Sequence, residues 1–133
     1  METRSLDMTW RIGRRDDASR VARNLVSEVL DPVVTPTTVA DAVLLTSELV
    51  TNVMMHTDDA CTLALTFDPS VGVVRVEVSD SSPQLPPTVT SAPSRDRIGG
   101  FGLELVTRLA TEWGHELDSH RKTVWFELDC ARA

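Results

Sequence analysis

A chain of 133 residues is long enough to bury a core without disulfide staples. Its two cysteines, Cys61 and Cys130, have no metal-ligand spacing and follow no signal peptide, which predicts reduced thiols in a cytoplasmic protein. A net charge of −7 argues against a sequence-independent grip on nucleic acid, and no apolar run approaches a bilayer span, so the expected partner is a small molecule or another protein.

Taken in chain order, element types alternate. Met8–Ile12 predicts a short strand, and Asp16 or Asp17 then caps a helix in which Val21, Ala22, Leu25, Val26, Val29 and Leu30 recur at helical intervals. Arginines gather at Arg11, Arg14, Arg15, Arg20 and Arg23, which fits a solvated face or a protein contact. Asp31-Pro32 ends that helix, and a second is expected after Pro36, capped by Thr37 or Thr38 and running to about Thr57. Thr62–Phe67 and Val73–Val78 alternate as half-buried strands do, joined by a turn over Asp68–Gly72, and the second strand stops at Asp80. Ser81 to Arg97 is rich in Ser and Pro without a hydrophobic period and reads as a long exposed loop. Gly99-Gly100-Phe101-Gly102 leads into an apolar helix through Leu103, Leu105, Val106, Leu109 and Ala110, expected to end near Trp113-Gly114. Strands over His115–Asp118 and Thr123–Leu128 close the chain, with no internal repeat and no second domain.

Two segments carry chemistry. In the second helix Glu48, Asn52 and His56 recur every four residues between Leu45, Leu49, Val50, Val53 and Met54, so at about 100° per residue they share one face. Such a stripe either meets water or holds a partner, because burying a carboxylate without a counterpart costs several kcal/mol. The glycine cluster Gly99–Gly102 is either a plain hinge or a phosphate cradle, in which backbone without Cβ approaches the anion and the following helix aims N–H groups at it. It lacks the lysine ending of a P-loop. No further residue completes a metal-ligand set around His56, Asp58 and Asp59.

In this order, Glu48-x-x-Thr51-Asn52-x-x-x-His56, a strand ending in Asp80, a long loop and Gly100-x-Gly102-Leu103 at a helix start resemble the N, G1 and G2 boxes of the GHKL ATPases. That superfamily includes gyrase, Hsp-type chaperones, histidine kinases and MutL. Ser47–Asn52, Trp113-Gly114 and Lys122-Thr123-Val124-Trp125 are similar to residues of the small anti-sigma factor serine/threonine kinases. The resemblance implies an α/β (α+β) two-layer sandwich of the Bergerat type, with a mixed, mainly antiparallel sheet and helices on one face. It implies one histidine-kinase-like ATPase domain over 1–133, with the N box at about 45–57, the G1 region at 78–84, an ATP lid at about 81–98 and the G2 box at 99–103.

Residue roles follow from the same resemblance. Asn52 is implied as the Mg²⁺ ligand, Glu48 as the general base, and Asp80 as the acceptor for the exocyclic amine of adenine. Thr123 is implied to share a bound water with Asp80, Gly100 and Gly102 to form the phosphate-contacting turn with Leu103 beside them, and His56 to make a structural hydrogen bond. Arg20 matches an arginine that contacts protein partners. The implied cofactors are ATP and Mg²⁺, and the implied partners are an anti-anti-sigma STAS-domain protein, a sigma factor and a second copy of the chain, with no direct nucleic acid and no membrane.

One departure stands out. Where the G1 pattern has glycines, this chain has Ser82 and Gln84, and Pro83 between them stiffens the start of the lid. Arg95 and Arg97 lie at the far end of that loop, either within reach of phosphates or simply solvated. The reading is therefore a cytoplasmic kinase that phosphorylates a STAS partner; the alternative is a partner-binding adaptor of the same fold with little or no phosphotransfer.

Overall fold

Period-two alternation of apolar side chains sets the sheet. In the computed structural model, which describes residues 5–56, 60–81, 100–117 and 120–130, five strands form: β1 (Leu6–Ile12), β2 (Cys61–Asp68), β3 (Val73–Asp80), β4 (Glu112–Leu117) and β5 (Lys122–Asp129). They pair in the order β1-β2-β3-β5-β4, and every pairing among the described residues is antiparallel. Leu63, Val78 and Val124 stand in one cross-strand row, Leu65, Val76 and Phe126 in the next, Phe67, Val74 and Leu128 in a third, and all are buried. Each such side chain taken fully out of water contributes roughly 1.5–3 kcal/mol.

The buried rows face three helices, α1 (Ala18–Leu30), α2 (Pro36–His56) and α3 (Gly100–Leu109). Helix α2 is central: it packs on β3 and β5, with α1 on one flank and α3 on the other. In α1 the buried residues Ala18, Ala22, Val26 and Leu30 recur every four positions, a narrow stripe of mostly small side chains that lets α1 lie close to α2. By length and composition Pro36–Met55 would suffice to cross a membrane, contrary to the expectation that no run is long enough. Its Val39, Ala42, Leu45, Leu49, Val50 and Val53 are buried in the core instead.

Helix ends depart from expectation in instructive ways. Pro36 is the first residue of α2, where its missing N–H costs nothing, so the cap is Thr35 rather than Thr37 or Thr38. The Thr35 hydroxyl accepts from the Thr38 backbone N–H at 3.3 Å. Asp17 does occupy the cap position of α1, yet its carboxylate makes no capping bond. It binds Arg15 and Arg20 instead, and the Arg15 hydrogen bond foremost holds the carboxyl below its ordinary range. The expected turn over Asp68–Gly72 is present: Ser70 donates its N–H and hydroxyl to the Asp68 carboxylate, and Gly72 takes φ 75°.

Helix α3 ends at Leu109, and Trp113-Gly114 lies in β4 rather than at a helix terminus. The reason is pairing: Trp113 stands opposite Phe126 and Gly114 opposite Trp125. On the outer face of the sheet the Trp125 ring carries the Arg75 guanidinium at 4.1 Å, and Arg75 also donates to Glu77 at 2.8 Å and to Glu127 at 2.9 Å. A Cβ on Gly114 would come within 2.8 Å of Trp125 Cζ2, so glycine is required there by the indole and not by a helix end. Gly114→Ala is accordingly expected to lower stability by about 1–3 kcal/mol in urea unfolding. In a Trp125→Leu background most of that cost should vanish; an equal loss in both backgrounds would exonerate the ring.

Candidate functional site

Four element ends meet at one edge of the helix layer. Asn52 lies in the last turns of α2, and β2 begins five residues after that helix ends, so the C-terminal end of α2 shares an end of the molecule with Cys61. β2 runs antiparallel to β3 with Thr62 opposite Ser79, which brings the β3 terminus, Asp80, to the same end. Lys122, the first residue of β5, is the register partner of Asp80. Helix α3 is pinned at its far end, where Thr111 donates its N–H to the Glu127 carbonyl at 2.8 Å and its hydroxyl accepts from the Asp129 N–H at 2.9 Å. Its glycine-bearing N-terminus, which carries the positive end of the helix dipole, is the end farthest from that tie.

Two hydrogen bonds fix the roll of α2. Ser19 and Thr51 share a hydroxyl–hydroxyl bond of 2.7 Å, and Arg23 donates to the Ser47 hydroxyl at 3.0 Å. Ser47 and Thr51 immediately precede Glu48 and Asn52, so locking the first pair against α1 rotates the second pair about 100° away from it. Arg14 closes the helix by donating to the Met54 carbonyl at 2.7 Å. Glu48 is half-buried, and Asn52 is 4% exposed with no hydrogen bond to its side chain among the described residues. The amide oxygen there, one helical turn from a carboxylate, suits a hard cation. This part of the site fits Mg-nucleotide.

The Asp80 end differs. Asp80 and Lys122 form an ion pair at 3.1 Å with side chains 0% and 1% exposed. Burial, with the Asp80 charge adding, also pushes the nearby Cys61 thiol up to about 11. Thr123 is not brought to Asp80: it sits one residue along, on the opposite face of the sheet, sharing a 2.9 Å hydroxyl bond with Ser79. Lys122 is the direct register partner of Asp80. The signal was present in the sequence, since counting back by two from the core residues Phe126 and Val124 puts Lys122 on the helix face and Thr123 outside.

The backbone of Gly100, Gly102 and Leu103 opens α3 as expected. His56 closes α2. Arg20 is exposed on α1 and bound to Asp17 at 2.9 Å. Asp58, Asp59, Ser82, Pro83, Gln84, Arg95, Arg97 and Gly99, with nearly all of the expected lid, lie outside the described residues. A separate cleft of about 590 Å³ opens on the α1 side of α2, lined by Arg14, Arg15, Ser19, Thr51, Met54 and Met55 among others, away from Asp80.

Residues 14–128 match the histidine kinase-like ATPase domain family. Among solved structures the chain is similar to the RsbU and RsbW domains of Rv1364c from Mycobacterium tuberculosis, at 22% identity and a TM-score of 0.68. That likeness covers 95% of this chain and 32% of the other, so this chain spans about a third of its length, and what it shows is a shared fold. No curated protein matches the chain.

The ion pair makes a thermodynamic prediction. Lys122→Met, which removes the counter-charge of a buried carboxylate, is expected to cost about 3–5 kcal/mol in urea unfolding. Asp80→Asn combined with Lys122→Met should recover most of that loss. A single variant as stable as the parent would show that the two charges are not buried together.

Proposed function

The chain belongs to the histidine kinase-like ATPase domain family, and from that premise we propose that residues 1–133 form a single nucleotide-binding domain acting as an anti-sigma-type serine/threonine kinase. The observation that carries this reading is the buried Asn52, one turn after the half-buried Glu48, at the end of the sheet that also carries Asp80. In this reading Asn52 ligates Mg²⁺, Asp80 faces the base, and the N–H groups at Gly100, Gly102 and Leu103 receive phosphate oxygens. Bound Mg-ATP supplies the transferable phosphoryl group. Glu48 accepts the proton of a serine or threonine hydroxyl on the partner, while the α3 dipole and the metal site offset the charge on the phosphates.

The partner we propose is a STAS-type anti-anti-sigma protein, with a sigma factor competing for the same surface, in a cytoplasmic and homodimeric assembly. Support comes from the motif order and from the similarity to a structure described as containing RsbU and RsbW domains. Arg20 is the proposed anchor: it is accessible, and a partner carboxylate would replace its exposed intrachain contact with Asp17. One observation favours a second reading, a partner-binding adaptor with little phosphotransfer. It is the Asp80–Lys122 pair, which gives the adenine-reading carboxylate an internal counter-ion.

Calorimetry and phosphotransfer assays test the site. Asn52→Ala should weaken Mg-ATP far more than metal-free ATP. Glu48→Gln should keep ATP and partner yet lose about two to four orders of magnitude in phosphotransfer to a STAS substrate. Retained transfer in Glu48→Gln would remove that residue from the chemistry, and absence of any ATP binding to the parent at millimolar nucleotide would promote the adaptor.

Partner binding is tested separately. Arg20→Glu is expected to leave the fold and nucleotide affinity unchanged while weakening the STAS or sigma complex by at least roughly tenfold, or about 1.4 kcal/mol. Parent-like affinity would place the interface elsewhere.

A further inference from the structure

We infer that Lys122 sets the nucleotide affinity and the base discrimination of this site, by placing its own ammonium on the carboxylate that a ligand's exocyclic amine would use. The inference rests on the proposed role of Asp80 and deepens it. Three observations converge. Asp80 and Lys122 are register partners at the adjoining ends of β3 and β5, on the helix side of the sheet. Their charged groups lie 3.1 Å apart. Both side chains are withdrawn from solvent, at 0% and 1% exposure, so an incoming base meets the pair already joined.

The competition has a direction. A full positive charge 3.1 Å from Asp80 Oδ2 attracts that buried carboxylate more strongly than a neutral amine does. An exocyclic amine is neutral, so it gains little at Asp80 while the ammonium remains. Moving the ammonium aside separates a buried cation from its counter-charge, which is strongly unfavourable. A side chain without charge at position 122 removes that competing charge from the carboxylate. The lysine therefore acts as an internal occupant of the base subsite: phosphate and metal contacts at Asn52 and the α3 glycines remain, while the 6-amino group of adenine goes largely unread.

The test compares ATP with purine riboside triphosphate, which lacks only the 6-amino group, by calorimetric titration with Mg²⁺ of the full chain and of Lys122→Thr. The parent is expected to bind the two nucleotides within about threefold of one another. Lys122→Thr should bind ATP at least roughly tenfold more tightly than the parent does, and should prefer ATP over the analogue by a similar factor. Adding Asp80→Asn to that variant should abolish both gains, a result that a purely structural lysine would not produce. A parent that already prefers ATP by tenfold overturns the inference and leaves the nucleotide reading intact; so does a folded Lys122→Thr with no gain. If Lys122→Thr does not fold, the comparison in the parent decides alone. If neither nucleotide binds parent or folded variant at millimolar concentration, the nucleotide reading fails and the inference falls with it.

Discussion

The placement of α2 is the constraint on which the rest depends. Among the described residues it touches both flanking helices and the central strands, so its apolar side must fill the space above β3 and β5 while its polar residues find exits. Leu45, Leu49, Val50 and Val53 satisfy the first demand. Ser47 and Thr51 satisfy part of the second by bonding Arg23 and Ser19. With core and α1 both claimed, little freedom of rotation is left, and Glu48 and Asn52 are held in one orientation. Side chains fixed by packing and by neighbouring hydrogen bonds are what a site needs to stay in position.

The sheet supplies the other half by pure register. A strand shifted by one residue would exchange its two faces, and β5 cannot shift because Val124, Phe126 and Leu128 all fill the core. Lys122 is carried inward by that rule although it is charged, and Thr123 outward although it is small and polar. Asp80 is carried in by the same alternation from Val76 and Val78. The ion pair is therefore a product of apolar packing as much as of electrostatics: each charge is buried by its strand's core residues, and each makes the burial of the other tolerable.

Much of this was legible in the sequence. The order of elements, the two helical stripes, the hairpin over Asp68–Gly72 and the approach of Glu48 and Asn52 follow from period and turn chemistry alone. Trp113-Gly114 misled because glycine after an apolar run resembles a helix stop, whereas the reason for Gly114 is an indole on a strand that only the pairing with β5 brings near. Thr35 was missed as a cap because proline was taken as the boundary rather than as the first helical residue. Lys122 escapes a reading by motif position, and strand alternation read back from Phe126 is what places it on the helix side beside Asp80. In each case the missing term was tertiary: a local pattern admitted two answers and a contact distant in sequence chose between them.

The fastening of α3 has a mechanical consequence. Its C-terminal side is tied to β5 twice through Thr111, once by its backbone N–H and once by its hydroxyl, and Arg108 and Leu109 hand over directly to β4. Tied to β5 beside Thr111 and packed against α2, the helix keeps Val106 in the core and carries its glycines at the end about 15 Å from the tie.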